Sequence, residues 1–181
     1  MTDNVITGFA ALYGEEAVIG ASFRERIPRG AFDRSLREND ILALLAHDGG
    51  RVLGRTSAGT LELQSTKVGL YFSLKADETT PDGLTAIGTV KRQDVKGCSF
   101  GFMVRAEEWQ DGGRKPPLRT LTDIDLFEVS LVAMPAYEGT VAKMRDNNPD
   151  LTQRRHNYES AAKRIADRRA RFEMKIRGIA V

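Results

Sequence analysis

Cysteine and histidine are nearly absent from this chain: Cys98 is the one cysteine, and His47 and His156 are the only histidines among 181 residues. One cysteine excludes an intramolecular disulfide, and three such residues cannot build a four-ligand Cys/His zinc cage. Chemistry that needs an imidazole has two candidates. Long apolar runs are also missing, since none approaches the roughly 20 residues of a bilayer-spanning helix, and no membrane partner is expected. The first 16 residues carry no basic segment before their apolar stretch and place Glu15 and Glu16 directly after it, unlike a secretory leader. The chain is therefore expected to begin near Met1 and to be soluble and intracellular, where one unpaired thiol is acceptable. A dominant charge is lacking too. With 27 Lys and Arg against 25 Asp and Glu, the formal net charge is +2, so the surface as a whole gives no reason to expect a polyanion.

What the chain does have is 41% hydrophobic residues, enough to build the core of one ordinary domain. Its charge is unevenly placed. Residues 150 to 181 hold nine basic and four acidic residues, net +5, and leave the remainder at net −3. The turn-forming stretch Asp146-Asn147-Asn148-Pro149-Asp150 separates the two, with Asn148 suited to an N-cap and Pro149 to the first helical position. This divides the chain into a domain at 1 to 145, a linker at 146 to 150, and a basic amphipathic helix or tail at 151 to 181, the helix itself covering 149 to 177. Leu151, Tyr158, Ala161, Ala162, Ile165, Phe172 and Ile176 form its thin apolar stripe, interrupted at Arg168 and Arg169. Such a segment packs on its own domain, docks on acidic partner helices, or is a tail that is cut away. A net +5 without a base-reading motif argues against nucleic acid. His156 sits here among Arg154, Arg155 and Tyr158 and reads as a surface residue.

Within the domain the hydrophobic period is two, in short segments separated by glycine, which favours a sandwich or barrel over βαβ units. The spacing predicts strands at 5–13, 41–46, 51–56, 61–64, 69–74, 99–104 and 126–132. It predicts helices at 31–38 and 81–92, the second capped by Thr80 but weakened by Gly83 and Gly88. The tract QDGGRKPP at 110–117 has the composition of a mobile surface loop. The series Gly49, Gly54, Arg55, Thr56 imitates a phosphate-binding loop but lacks its lysine. The alternating residues after it cannot supply the helix N-terminus that such a loop needs, so a glycine turn between strands is the better reading.

Three further segments carry chemistry. His47 ends the apolar run at 41–46 just before Asp48-Gly49-Gly50, a rigid support at the rim of the core that suits a general base. Isolated histidines at strand ends are nevertheless more often structural. Gly97-Cys98-Ser99-Phe100-Gly101-Phe102 sets two nucleophile types side by side. On a strand they point to opposite faces, so at most one can meet His47; parity places Cys98 with Phe100 and Phe102, and Ser99 with Gly101 and Met103. In 123–132 the same parity puts Phe127, Val129 and Leu131 on an apolar face, and Glu128 and Ser130 on the other. A carboxylate there either orients an imidazole or is simply solvated.

In order and wording these blocks resemble the prohead protease family of tailed bacteriophages, over residues 5 to 145. The matching stretches are Pro28-Arg29-Gly30-Ala31-Phe32-Asp33, His47-Asp48 with Val52-Leu53-Gly54-Arg55, Gly69-Leu70-Tyr71-Phe72, Gly97 to Phe102, Leu126 to Val132, and Pro135-Ala136-Tyr137. The family usually has asparagine where this chain has Ala46. The resemblance implies a serine endopeptidase with a fold like the herpesvirus capsid maturation protease, mainly β with peripheral helices, an antiparallel β-barrel followed here by the C-terminal helix. By motif its catalytic residues are His47, Ser99 and Glu128, with Asp48, Asp123 and Asp125 as other carboxylates near the same motifs. It implies no metal or organic cofactor. It also implies cleavage of scaffolding protein, or of the scaffolding segment of the major capsid protein, inside the procapsid in the host cytoplasm, together with self-cleavage. Those capsid and scaffold proteins are the expected partners, and the barrel relatives often need a homodimer. Phage, prophage and gene-transfer particles are all sources consistent with this. A non-catalytic capsid-assembly module is the alternative reading, and a thiol mechanism through Cys98 is a third.

Overall fold

Among the described residues twelve elements follow one another in the order β1 (Val5–Leu12), β2 (Ala17–Ile19), β3 (Phe23–Arg26), α1 (Asp33–Glu38), β4 (Leu42–Leu45), β5 (Asp48–Arg55), β6 (Leu61–Ser65), β7 (Gly69–Lys75), α2 (Pro81–Lys91), β8 (Gly97–Gln110), β9 (Leu118–Val132) and β10 (Val141–Met144). The computed structural model describes residues 4–19, 22–135, 137 and 139–145. The linker and basic helix expected beyond residue 145, and His156 with them, lie outside the described residues.

The strands form two sheets. One has the order β10-β1-β7-β6 and is antiparallel throughout. The other runs β2-β3-β9-β4-β5, with β8 on the opposite edge of β9. Among the described residues neither sheet closes on itself, so the expected antiparallel barrel is not formed; the fold is mixed α+β with two open sheets. Two pairings are parallel as well: β3 joins β9 with Arg24 opposite Leu118, and β4 joins it with Leu42 opposite Glu128. The cause is the length of β9. Its 15 residues accept all of β8 on one edge and two short strands in succession on the other.

Between those two strands this edge of β9 has no strand neighbour among the described residues, and the segment around α1 serves its backbone there. Ile124 N–H donates to the Ala31 carbonyl at 3.1 Å, and Leu126 N–H donates to Ser35 Oγ at 2.7 Å. The Asn39 amide donates to the Leu126 carbonyl at 3.3 Å. Buried peptide groups require such partners, which explains a fully buried serine in a six-residue helix.

The second helix forms as predicted, with Pro81 in its first turn and Thr80 Oγ1 accepting from Gly83 N–H at 3.1 Å. Gly83 weakens intrinsic helicity but is needed here, because a Cβ would lie 1.8 Å from the Asp77 carbonyl oxygen. Ile6, Phe32, Ile41, Phe72, Leu121 and Leu126 are among the fully buried side chains of a single cluster that draws on both sheets and α2. Each contributes about 1.5–3 kcal/mol of transfer free energy. The 110–117 tract closes β8 and links it to β9, with Gly113 at φ 59°. The false phosphate-loop residues fall in β5 and the turn after it, not before a helix.

Phe127 departs from the strand parity. Glu128 pairs with Gly101 and Leu126 with Phe102, so Phe127 is the extra residue of a β-bulge. The bulge returns Leu126 to the core and leaves Phe127 46% exposed.

Candidate active site

β8 and β9 create a polar face by register alone. Ser99 lies opposite Ser130 and Gly101 opposite Glu128, while Cys98 opposite Leu131 and Phe100 opposite Val129 face the core. Cross-strand partners share a face, so Ser99, Gly101, Glu128 and Ser130 stand together. β4 lies along the other edge of β9, with Leu44 beside Ser130. It carries the chain to His47 at the top of this face.

His47 is delivered by a tight hairpin. Leu45 pairs with Asp48 across a two-residue turn, and both turn residues have positive φ, 56° at Ala46 and 59° at His47. That is the pattern of a type I′ turn, which favours Asn or Gly, so a non-glycine pair here carries backbone strain. The Ala46 N–H donates to the Leu131 carbonyl at 3.0 Å, and His47 N–H donates to Ser130 Oγ at 3.1 Å. Both bonds pin the turn to β9.

The turn places His47 Nδ1 2.7 Å from Glu128 Oε1. A carboxylate only accepts, so Nδ1 carries the proton and Nε2 is left with the lone pair a general base requires. The second carboxylate oxygen, Oε2, accepts from Ser130 Oγ at 2.5 Å. The imidazole is 45% exposed and the carboxylate 12%, so the pair opens to solvent on the imidazole side. Gly101 makes this possible. A Cβ at that position would lie 2.5 Å from Glu128 Oε1 and 3.1 Å from its Cγ and Cδ, so the carboxylate occupies the place of a side chain.

Ser99 is 8% exposed, and its hydroxyl forms no hydrogen bond to the His47 ring among the described residues. In free enzymes that bond is commonly long and tightens with substrate. Cys98 is 1% exposed, and burial, reinforced by the charge of Glu128, pushes its thiol well above the ordinary range. A thiolate nucleophile is disfavoured there. The other carboxylates are engaged elsewhere. Asp48 Oδ1 accepts from Gly50 N–H at 2.9 Å, Asp123 pairs with Arg34 at 3.1 Å, and Asp125 bonds Arg34 at 2.6 Å and also Arg105. Those two guanidinium groups hold the Asp125 carboxyl below the usual range. Among the described residues no group of three His, Cys, Asp or Glu is placed to hold a metal ion.

The structure therefore brings His47 and Glu128, both expected from the sequence, into contact and sets Ser99 on their face. The sequence places Ser130 and Gly101 on these faces without assigning either a role. Their signal was the same alternation: Ser130 shares parity with Glu128, and Gly101 with Ser99.

The family model for the caudovirus prohead serine protease matches residues 1–155. No curated protein matches the chain. Among solved structures it is similar to the crystal structure of the KSHV protease in complex with a hexapeptide phosphonate inhibitor, with a TM-score of 0.48 and 13% identity over 88% of this chain and 76% of that one. Because the family match covers most of its length, the chain belongs to the caudovirus prohead serine protease family: it is a serine endopeptidase of capsid maturation that acts on scaffold-related substrates among capsid and scaffold proteins, in an intracellular, procapsid-associated setting.

Proposed function

We propose that His47, Ser99 and Glu128 are the catalytic residues of this protease. The observation that carries the reading is the 2.7 Å contact from His47 Nδ1 to Glu128 on the face that also bears Ser99. His47 Nε2 takes the Ser99 hydroxyl proton as Oγ attacks the scissile carbonyl, and then gives it to the leaving amine. Glu128 fixes the ring tautomer and stabilises the imidazolium. Water deacylates the enzyme by the same steps in reverse roles. Among the described residues β8 forms its ladder only with β9. On its other edge the Cys98 N–H already donates to Thr140 Oγ1 at 3.2 Å, so an extended peptide would add from Phe100 onward, beyond Ser99.

The substrate is the scaffolding protein or the scaffolding segment of the major capsid protein, cleaved inside the procapsid in the host cytoplasm, and the enzyme also cuts itself. Residues 1 to 145 are the protease domain, 146 to 150 a linker, and the basic 151 to 181 segment an element that docks on acidic scaffold or capsid helices. The test is co-expression with the capsid and scaffold proteins, followed by mass spectrometry of every chain. Shortened products of the substrate and the enzyme are expected from the native protein and none from Ser99→Ala. Full cleavage by Ser99→Ala would overturn the assignment. Loss of packaging without loss of peptide cleavage on deleting 149 to 181 is the result expected for the docking role.

A further inference from the structure

We propose that Ser130 is a positioning residue that sets the geometry between the imidazole and the carboxylate without touching substrate. The inference rests on the reading that His47, Ser99 and Glu128 carry the reaction. Ser130 is fully buried in β9 directly across from Ser99. A serine hydroxyl has one proton and two lone pairs. Here the proton goes to Glu128 Oε2 at 2.5 Å, and a lone pair receives the His47 N–H at 3.1 Å.

Each bond removes a different freedom. Glu128 held by His47 alone could rotate about its terminal bond and still keep one contact. With Ser130 on the second oxygen, both oxygens are fixed and the carboxylate plane is set. The bond to the His47 amide acts on the partner. The imidazole is carried by a turn with two non-glycine residues at positive φ, which would relax if it were free to do so. One hydroxyl therefore ties the strained turn to the strand that carries the carboxylate. Ser130 is not a second nucleophile, because its proton is committed to Glu128 and its oxygen meets the His47 backbone, not the ring.

The experiment uses the full chain in two backgrounds. In the active background, Ser130→Ala is expected to lower kcat for the scaffold substrate by about 10–100-fold, the range for losing a hydrogen bond to a charged group, with KM within about twofold. Ser130→Cys, which keeps the volume and a weaker donor, is expected to fall between Ala and the native enzyme. In a Ser99→Ala background, which prevents self-digestion, the His47 Nδ1 proton is followed by NMR. A resolved, slowly exchanging signal is expected with Ser130 present, and its broadening or loss with Ser130→Ala. Native kcat in Ser130→Ala, or a lowered kcat with an unchanged Nδ1 proton signal, would overturn the inference, provided that Ser99→Ala and Glu128→Gln are inactive. Activity retained in either of those two would instead sink the underlying triad.

Discussion

Replacing Gly101 with alanine should disable the enzyme while leaving it folded. The added Cβ would stand 2.5 Å from Glu128 Oε1, whereas ordinary contact begins near 3.4 Å, so the carboxylate must retreat by about 0.9 Å. A retreat of that size along the His47 contact lengthens it from 2.7 Å to about 3.6 Å, beyond hydrogen-bond range. Misplacing a catalytic group by about 1 Å costs on the order of 100-fold in rate. The backbone itself has no objection, because Gly101 is not among the glycines with positive φ. Alanine in place of a strand glycine gains about 0.5–1 kcal/mol, set against about 1–3 kcal/mol for overpacking. A small loss of stability is expected beside a large loss of kcat.

The assay is cleavage of the scaffold substrate by Gly101→Ala, Glu128→Ala and the double variant, with a thermal melt of each. If Gly101 acts only by making room for Glu128, the two losses do not add, and the double variant is no slower than Glu128→Ala alone. Native activity in Gly101→Ala would refute the geometry. Fully additive losses would refute the route through Glu128.

Ala46→Asn should raise stability by about 1 kcal/mol, because asparagine tolerates the φ of 56° that alanine resists; an unchanged or lower denaturant midpoint would remove strain from the account of this turn. Cys98→Ala should leave cleavage within about twofold of native and cost about 1 kcal/mol of stability, and the native thiol should resist alkylation until the protein unfolds. Loss of activity with fold retained would return Cys98 to the mechanism. Asp125, whose carboxyl is held low first by its hydrogen bond from Arg34 and then by that from Arg105, contributes stability that is complete above the unfolded value near pH 4 and is lost as pH falls toward its depressed folded value. Denaturant melts of Asp125→Asn should show lower stability than native at pH 7 and a shallower decline below about pH 4; an equal acid slope in both proteins would contradict it.

The parts of this fold legible in the sequence are those set by alternation over five or more residues. β1, β6, β7 and the site-bearing halves of β8 and β9 repeat with period two long enough to be read, and parity alone separates Ser99 from Cys98. β2, β3 and β10 leave no readable signal in the sequence, because they have three or four residues each, too few for a period to stand out. Sheet closure is illegible for a related reason. Alternation specifies which residues share a face but not which strands are neighbours, and here the decisive neighbours of β9 are two short parallel strands separated by a helix. The same limit applies to the site. Strand parity put Glu128 and Ser130 on one face, yet the role of Ser130 depends on a turn 83 residues earlier in the chain, and that of Gly101 on the absence of a side chain. Phe127 shows the converse, because a single bulge overrode a parity that held on both sides of it. The proposed catalytic constellation is thus readable where one strand determines it, and obscure where two backbones must approach closely enough for a hydroxyl and a missing Cβ to matter.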